Sequence, residues 1–381
     1  MSNSTKGFSL IIGIVMIVAM VGGAITPLLQ SSIGQNVVSE TIDATAIPEP
    51  TLPAPPDISQ INFDDVYLHP SGLFTMGVPT GWNPTLEDTS EGEVRVSLGN
   101  SNALSVIETR IISSPQEITN GDELSAFFND TWLGQTWRDY QNWEETNRSV
   151  TEDGHVVIDF NLTRTRSNYI ARQESWVEDG EIYSVRVVTA ENAPEELKFV
   201  LSGVKSNIQR IDVYADSPFS WSSYFDNSDK HLIRYPETWD VTDAADGLPA
   251  TITGDDTTLL VETVDVALDS EDEAIDWIEN WRSGVEALTV EPVEVDGASG
   301  YEVSYKLTTL DGAPESGLAV LLNGPDNRLH VANGRISNVD VDLQTASPED
   351  YSLGSILGSF HLFPDLNVTS VVGQQFAPVS G

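Results

Sequence analysis

Between residues 63 and 364 the chain runs through one pattern of apolar stretches, turns and helix signals twice, at a spacing of about 150 residues. A fold that serves one copy must serve the other, and this duplication constrains the architecture more than any single motif. Leu73-Phe74-Thr75-Met76-Gly77-Val78-Pro79 leads to Trp82, and His231-Leu232-Ile233-Arg234-Tyr235-Pro236 leads to Trp239. Each is a short strand stopped by proline, which cannot donate to a sheet ladder. A second β-rich run follows in each copy, Ala103–Thr109 and Thr258–Thr263.

Helix signals come next. Ser270 and Glu273 have the spacing of a capping box, and Ala274, Trp277, Ile278 and Trp281 then form one apolar stripe. Leu124, Phe127 and Phe128 occupy the matching places after Asp122-Glu123. Each copy closes with a predicted helix opened by proline and acids, Pro194-Glu195-Glu196 and Pro348-Glu349-Asp350, as the first turn favours. Between the helices, Val156, Ile158, Phe160 and Leu162 alternate with polar neighbours, and Tyr301, Val303, Tyr305 and Leu307 do the same. Glu178-Asp179-Gly180-Glu181 and Asn323-Gly324-Pro325-Asp326-Asn327 read as turns. The expected fold class is α+β: two tandem α/β sandwich domains, 63–210 and 211–364, each an antiparallel sheet covered by helices.

Ahead of the repeats, Phe8–Leu29 is an uncharged apolar run long enough for a transmembrane helix. Lys6 precedes it and no lysine or arginine follows until Arg95, so the positive-inside rule places residues 1–7 in the cytoplasm and the bulk of the chain outside. Gly22-Gly23-Ala24 offers the alternative of a cleaved signal peptide and a secreted product. The start Lys6-Gly7-Phe8 also resembles a type IV pilin processing site, with Ile12 where that family expects glutamate. Residues 30–62, which include the proline-rich IPEPTLPAPPD, read as a semi-rigid spacer, and 365–381 as a C-terminal tail.

The order of elements, the Phe74…Pro79-x-x-Trp82 and Leu232…Pro236-x-x-Trp239 stretches and the ending Ile356-Leu357-Gly358-Ser359-Phe360 resemble the PsbP/Mog1-like domain family, which includes DcrB-type bacterial envelope proteins. The resemblance implies non-enzymatic accessory, assembly or ligand-associated roles and supplies no catalytic residues.

Composition excludes several functions. Fifty-nine acidic against eighteen basic residues repel nucleic acid. With no cysteine there are no disulfides, thiolate nucleophiles or zinc-thiolate sites. The five histidines, His69, His155, His231, His330 and His361, show no metal-ligand spacing, and no nucleophile elbow, phosphate loop or dinucleotide fingerprint occurs. No catalytic, cofactor-binding or metal site is therefore assigned. Asp226, Asp229, Asp255 and Asp256 lack calcium-loop spacing. Trp132, Trp137 and Trp143 are expected to pack or to form an adhesive patch. The candidate interaction patch is Arg164, Arg166 and Arg172, a basic cluster without counterpart in the second repeat; its alternative is a solvated hairpin whose arginines pair with Glu174 or Glu178.

These features predict a membrane-tethered, extracytoplasmic binding or accessory module rather than an enzyme. Its partners would be lipid, through the N-terminal helix, and an unknown protein or small ligand. The alternatives are an extracellular hydrolase with a dispersed carboxylate site and a pilin-like structural subunit.

Overall fold

The computed structural model describes residues 52–369 apart from 115, 245–247, 255 and 347–350. The apolar run 8–29, Asp255, Pro348-Glu349-Asp350 and the tail from 370 lie outside the described residues. From Glu49 onward the chain clusters as one compact unit.

The first half opens with the hairpin β1 (Asp65–Leu68) and β2 (Phe74–Val78), then β3 (Asn83–Thr89), β4 (Glu93–Asn100) and β5 (Ser105–Ser113). Helices α1 (Gly121–Phe127) and α2 (Asp130–Thr136) precede β6 (Asn142–Val150), β7 (Val156–Arg164), β8 (Ser167–Glu178) and β9 (Glu181–Ala190). Helix α3 (Pro194–Ser206) and β10 (Gln209–Arg210) close it. The second half runs β11 (Trp221–Asp226), β12 (His231–Pro236), β13 (Asp240–Thr242), β14 (Ala250–Thr253) and β15 (Thr257–Val264). Helix α4 (Glu271–Trp281) follows, then β16 (Val285–Val295), β17 (Ala298–Thr308), β18 (Pro314–Asn323), β19 (Leu329–Ser337), α5 (Leu353–Leu357) and β20 (His361–Leu362).

These strands make four sheets. The first half has a three-stranded sheet β1-β2-β10 and a seven-stranded sheet β3-β4-β5-β9-β8-β7-β6. The second repeats both orders as β11-β12-β20 and β13-β14-β15-β19-β18-β17-β16. Every pairing is antiparallel, and the long-range closures are β5 on β9 (Val106↔Val188) and β15 on β19 (Leu259↔Gly334).

The expected α+β class with a transmembrane helix is corrected here. Strands take 47% of the described residues and helices 16%, so the chain is mostly antiparallel β. Among the described residues no helix is long and apolar enough to cross a membrane. The excess strand sits largely at the sheet edges. β3, β6, β13 and β16 bury no residue fully, so their sequences lack the apolar alternation by which a strand is recognised.

Local chemistry accounts for the helix ends. Ser270 Oγ accepts from the Glu273 amide at 3.3 Å, and Glu273 Oε2 accepts from the Asp269 amide at 2.6 Å. Asn120 and Glu123 repeat this device, with Glu123 Oε2 on the Thr119 amide at 2.8 Å. α3 begins on Pro194 and buries Leu197, Val200, Leu201 and Val204 along one stripe. Between β8 and β9, Asp179 (φ 51°) and Gly180 (φ 80°) supply the two positive φ values of a tight hairpin.

Successive side chains of a central strand enter different cores. Tyr183, Val185 and Val187 join α3 and the small sheet, whereas Ile182 and Val188 face α1 and α2. In the second half Leu318, Val320 and Leu322 pack towards α5, and Ala319 and Leu321 towards α4. The same alternation in β12 joins the halves. Ile233 and Tyr235 belong to the second-half core, while Leu232, with Phe225, Tyr214 and Val368, completes the core of the first. Arg234 also faces the first half. Its Nε donates to Ser71 O at 2.6 Å and its Nη2 to Pro218 O at 2.6 Å, with Tyr214 5.5 Å beneath the guanidinium. Replacing Arg234 with leucine would strand Ser71 O, while Pro218 O keeps the Trp221 amide at 3.3 Å, and a buried unsatisfied polar group costs about 1–3 kcal/mol. Urea unfolding of R234L should show a loss of about 2 kcal/mol, read by tryptophan fluorescence and circular dichroism.

Candidate functional site

Helix α4 carries two tryptophans four residues apart, and both remain half-buried. Together with the segment before the helix they line an open groove of about 490 Å³, with Val266 and Leu268 on one wall and Asp276, Trp277, Asn280 and Trp281 on the other.

Both walls are held. Asn323 clamps the loop by accepting from the Leu268 amide at 2.9 Å and donating to Leu268 O at 2.8 Å. The capping bonds of Ser270 and Glu273 fix the start of the helix, and Ala274 and Ile278 anchor its inner face. Trp281 rests edge-on against Tyr305, with ring centroids 6.1 Å apart, and Arg335 lies 5.9 Å from its indole. Tyr305 lies flat across the sheet because its partner in β18 is Gly317, where a Cβ would come within 2.0 Å of the ring. Its hydroxyl donates to Asn333 Oδ1 at 2.6 Å. An apolar floor, rigid walls and a few polar groups at the rim are the ordinary makings of a binding surface.

The first half fills the matching space differently. There α1 is followed by α2, whose Leu133 and fully buried Trp137 extend the core. Between α4 and β16 the second half has only Arg282–Gly284, with no second helix. Of the three first-half tryptophans Trp137 is fully buried, and Trp132 and Trp143 are half-buried against the α1–α2 core.

The remaining sequence candidates are dispersed. Arg164 and Arg166 are exposed at the β7–β8 turn, while Arg172 pairs with Asp159 at 2.6 and 3.0 Å. Neither expected acid is that partner: Glu174 instead takes His155 at 2.9 Å and Lys205. Asp226 accepts from the Ser228 and Asp229 amides, and Asp229 pairs with Arg328 at 2.7 Å. Among the described residues no group of three His, Asp or Glu is placed to hold a metal ion.

His69 and His231 do not occupy equivalent positions. His69 lies in the β1–β2 turn, between Ser71 Oγ (2.9 Å) and Arg95 O (3.1 Å), whereas His231 opens β12 with its ring 5.9 Å from His330. Thr263 Oγ1 stands 3.4 Å from His231 Nδ1 and 3.2 Å from His330 Nδ1.

Sequence reasoning missed a buried ionic network on the first sheet. Glu108 takes Arg110 at 2.6 Å and Arg186 at 2.8 Å, and Arg110 reaches Glu93 at 3.0 Å. Trp137 lies 4.4 Å from the Arg186 guanidinium and Trp132 5.3 Å from that of Arg110. Charged residues inside apolar strands, as in Val94-Arg95-Val96 and Val185-Arg186-Val187, were the available signal. Each charge in the network has an opposite partner, although Arg186 Nη1 is buried without a hydrogen bond among the described residues, so it reads as architecture. Burial also pushes Glu87 up to about 7, and Tyr67 donates to it at 2.5 Å.

No family model matches the chain, and no curated protein matches its sequence. Among solved structures it is similar to cyanobacterial PsbP (CyanoP) from Synechocystis sp. PCC 6803, at 18% identity over 38% of this chain and 93% of that one, with a TM-score of 0.30. It is similar also to the immunity protein TplEi of the T6SS from Pseudomonas aeruginosa, at 12% identity over 74% and 97% of the two chains, TM-score 0.25. A further likeness is to the Tle4–Tli4 complex, at 12% identity over 74% and 98%, TM-score 0.23. At these identities and scores the fold of this chain is defined by its own strand order. What that fold and its groove define is a class: a mostly β, internally duplicated protein with one aromatic, acid-rimmed groove described on its second half.

Burial holds His69 and His231 near 4, below the usual 6.5, so the unfolded chain takes up protons between those values that the folded chain refuses. Their contribution is complete above pH 6.5 and is lost as pH falls towards 4. The urea midpoint should drop across that window, and His231→Gln should flatten the slope. Separately, Gly317→Ala should displace the Tyr305 ring and shift the tryptophan emission, whereas Gly92→Ala, with open space around its Cβ and no positive φ, should leave it unchanged.

Proposed function

We propose that this chain is an exported, non-catalytic binding or accessory module that engages its partner through the α4 groove. The observation that carries this reading is the pair of half-exposed indoles, Trp277 and Trp281, between walls fixed by hydrogen bonds. Aromatic side chains on a rigid frame offer large contact area at little entropic cost. The other charged and polar clusters described above are engaged with one another, which fits structural roles for them. Export is inferred from the uncharged apolar run 8–29 and the basic residue ahead of it.

A photo-crosslinking amino acid at position 276 tests this reading in the native cell, beside a control at the fully exposed Leu310. The expected result is one discrete adduct from position 276 and none from 310. Equal labelling from both, or no adduct from 276, removes the groove as the binding face. Protease added to intact cells should degrade the folded part if the chain is exported.

A further inference from the structure

We infer that the α4 groove takes a short basic segment of a partner protein in which Lys or Arg alternates with apolar side chains. The inference rests on the groove being the binding face and names what would fill it. Helix α4 has the sequence EDEAIDWIENW, with five acids, no base and two tryptophans in eleven residues. Glu273 and Asp276 line the same groove as Trp277 and Trp281. Indole faces attract ammonium and guanidinium groups, and neighbouring carboxylates strengthen that preference. Apolar side chains from the same segment would cover the Val266 and Leu268 wall. Val266 is 43% exposed beside the groove.

Charge argues against the chain itself as occupant. A second copy would bring a formal charge of −41 towards this surface. Residues 30–57 contain Glu40, Asp43, Glu49 and Asp57 and no lysine or arginine, and residues 370–381 are uncharged. The field of the second half points the same way: residues 211–364 hold 30 acids and 6 bases, a net −24, against −13 for 63–210. Such a field speeds the approach of cations. The helix face from 273 to 281 spans about 12 Å, which matches roughly four residues of extended peptide.

The test uses the full-length chain and three capped hexapeptides, alternating Arg-Leu, Arg-Ser and Glu-Leu, titrated by fluorescence anisotropy at low and high salt. The Arg-Leu peptide should bind at least tenfold more tightly than either control. Trp277→Ala and Asp276→Lys should each weaken it about tenfold. The Asp276 variant alters an exposed side chain, and an unchanged circular dichroism spectrum would establish that it folds.

Equal binding of the Arg-Ser peptide would mean diffuse acidity only and would overturn the inference, as would indifference to both variants. A dimer dispersed by Trp277→Ala would assign the groove to a second copy. If the probe at 276 captures a partner while the Arg-Leu peptide shows no preference, the basic segment is wrong and the groove reading stands. If position 276 captures nothing, the groove reading itself fails.

Discussion

The two halves are held by a guanidinium that has no carboxylate. Arg234 is fully buried, and burial lowers its pKa to about 9; among the described residues no acid pairs with it. It is stabilised by carbonyls from both sides of the junction, Ser71 in the first hairpin and Pro218 before β11. Nη1 has no hydrogen-bond partner among the described residues, so this buried cation depends on the bonds of Nε and Nη2, which couple its position to both backbones at once. Around it, Leu232 and Phe225 complete the core of the first half, and Thr369 donates to Val66 O at 2.9 Å. Neither half could be rotated against the other without exposing this apolar surface and leaving the arginine unpaired.

Within that frame the duplicated topology has diverged at one place that matters for function. The first half continues α1 into α2, buries Trp137 completely and sets it against Arg186. The second half passes directly from α4 to β16 and leaves its indoles half-exposed. The buried charges have diverged as well. Glu108 faces Arg186 across β5 and β9, whereas Leu260 faces Asn333 across β15 and β19. One copy has become a closed, charge-stitched body and the other keeps an open aromatic edge under a strongly negative field.

Much of this was legible in residue order because it depends on local rules. The capping pair Ser270/Glu273, the Asp179-Gly180 turn and the alternation of β7 each depend on neighbours a few residues away, as does the Asn120/Glu123 cap, for which only the acids Asp122-Glu123 were noted. The edge strands were not legible. β16 reads VEALTVEPVEV, half-exposed throughout and bulged between Ala287 and Thr289, so it carries neither strand nor helix periodicity. The mistaken fold class followed from that, because unseen strands made the helices look more prominent than they are. The site was half legible. Trp277 and Trp281 stood out at helical spacing and do pack against the core that holds Ala274 and Ile278, but nothing in the sequence shows that a covering helix is missing and that they stay only half-buried.

By itself, then, the sequence carried the repeated pattern of apolar runs, the caps and turns at Ser270 and Asp179-Gly180, the lack of cysteine and the excess of acid, all of which follow from composition and short-range periodicity. Tertiary structure alone decided which charges meet. It brought Arg110 and Arg186 to Glu108 and Glu93, sent Arg172 to Asp159, set His231 beside His330, and carried Arg234 across the junction. Folding places residues side by side that are far apart in the chain, 163 positions for Ser71 and Arg234 and 303 for Val66 and Thr369. No periodicity records such distances, so the junction and the groove emerge only when the sheets close.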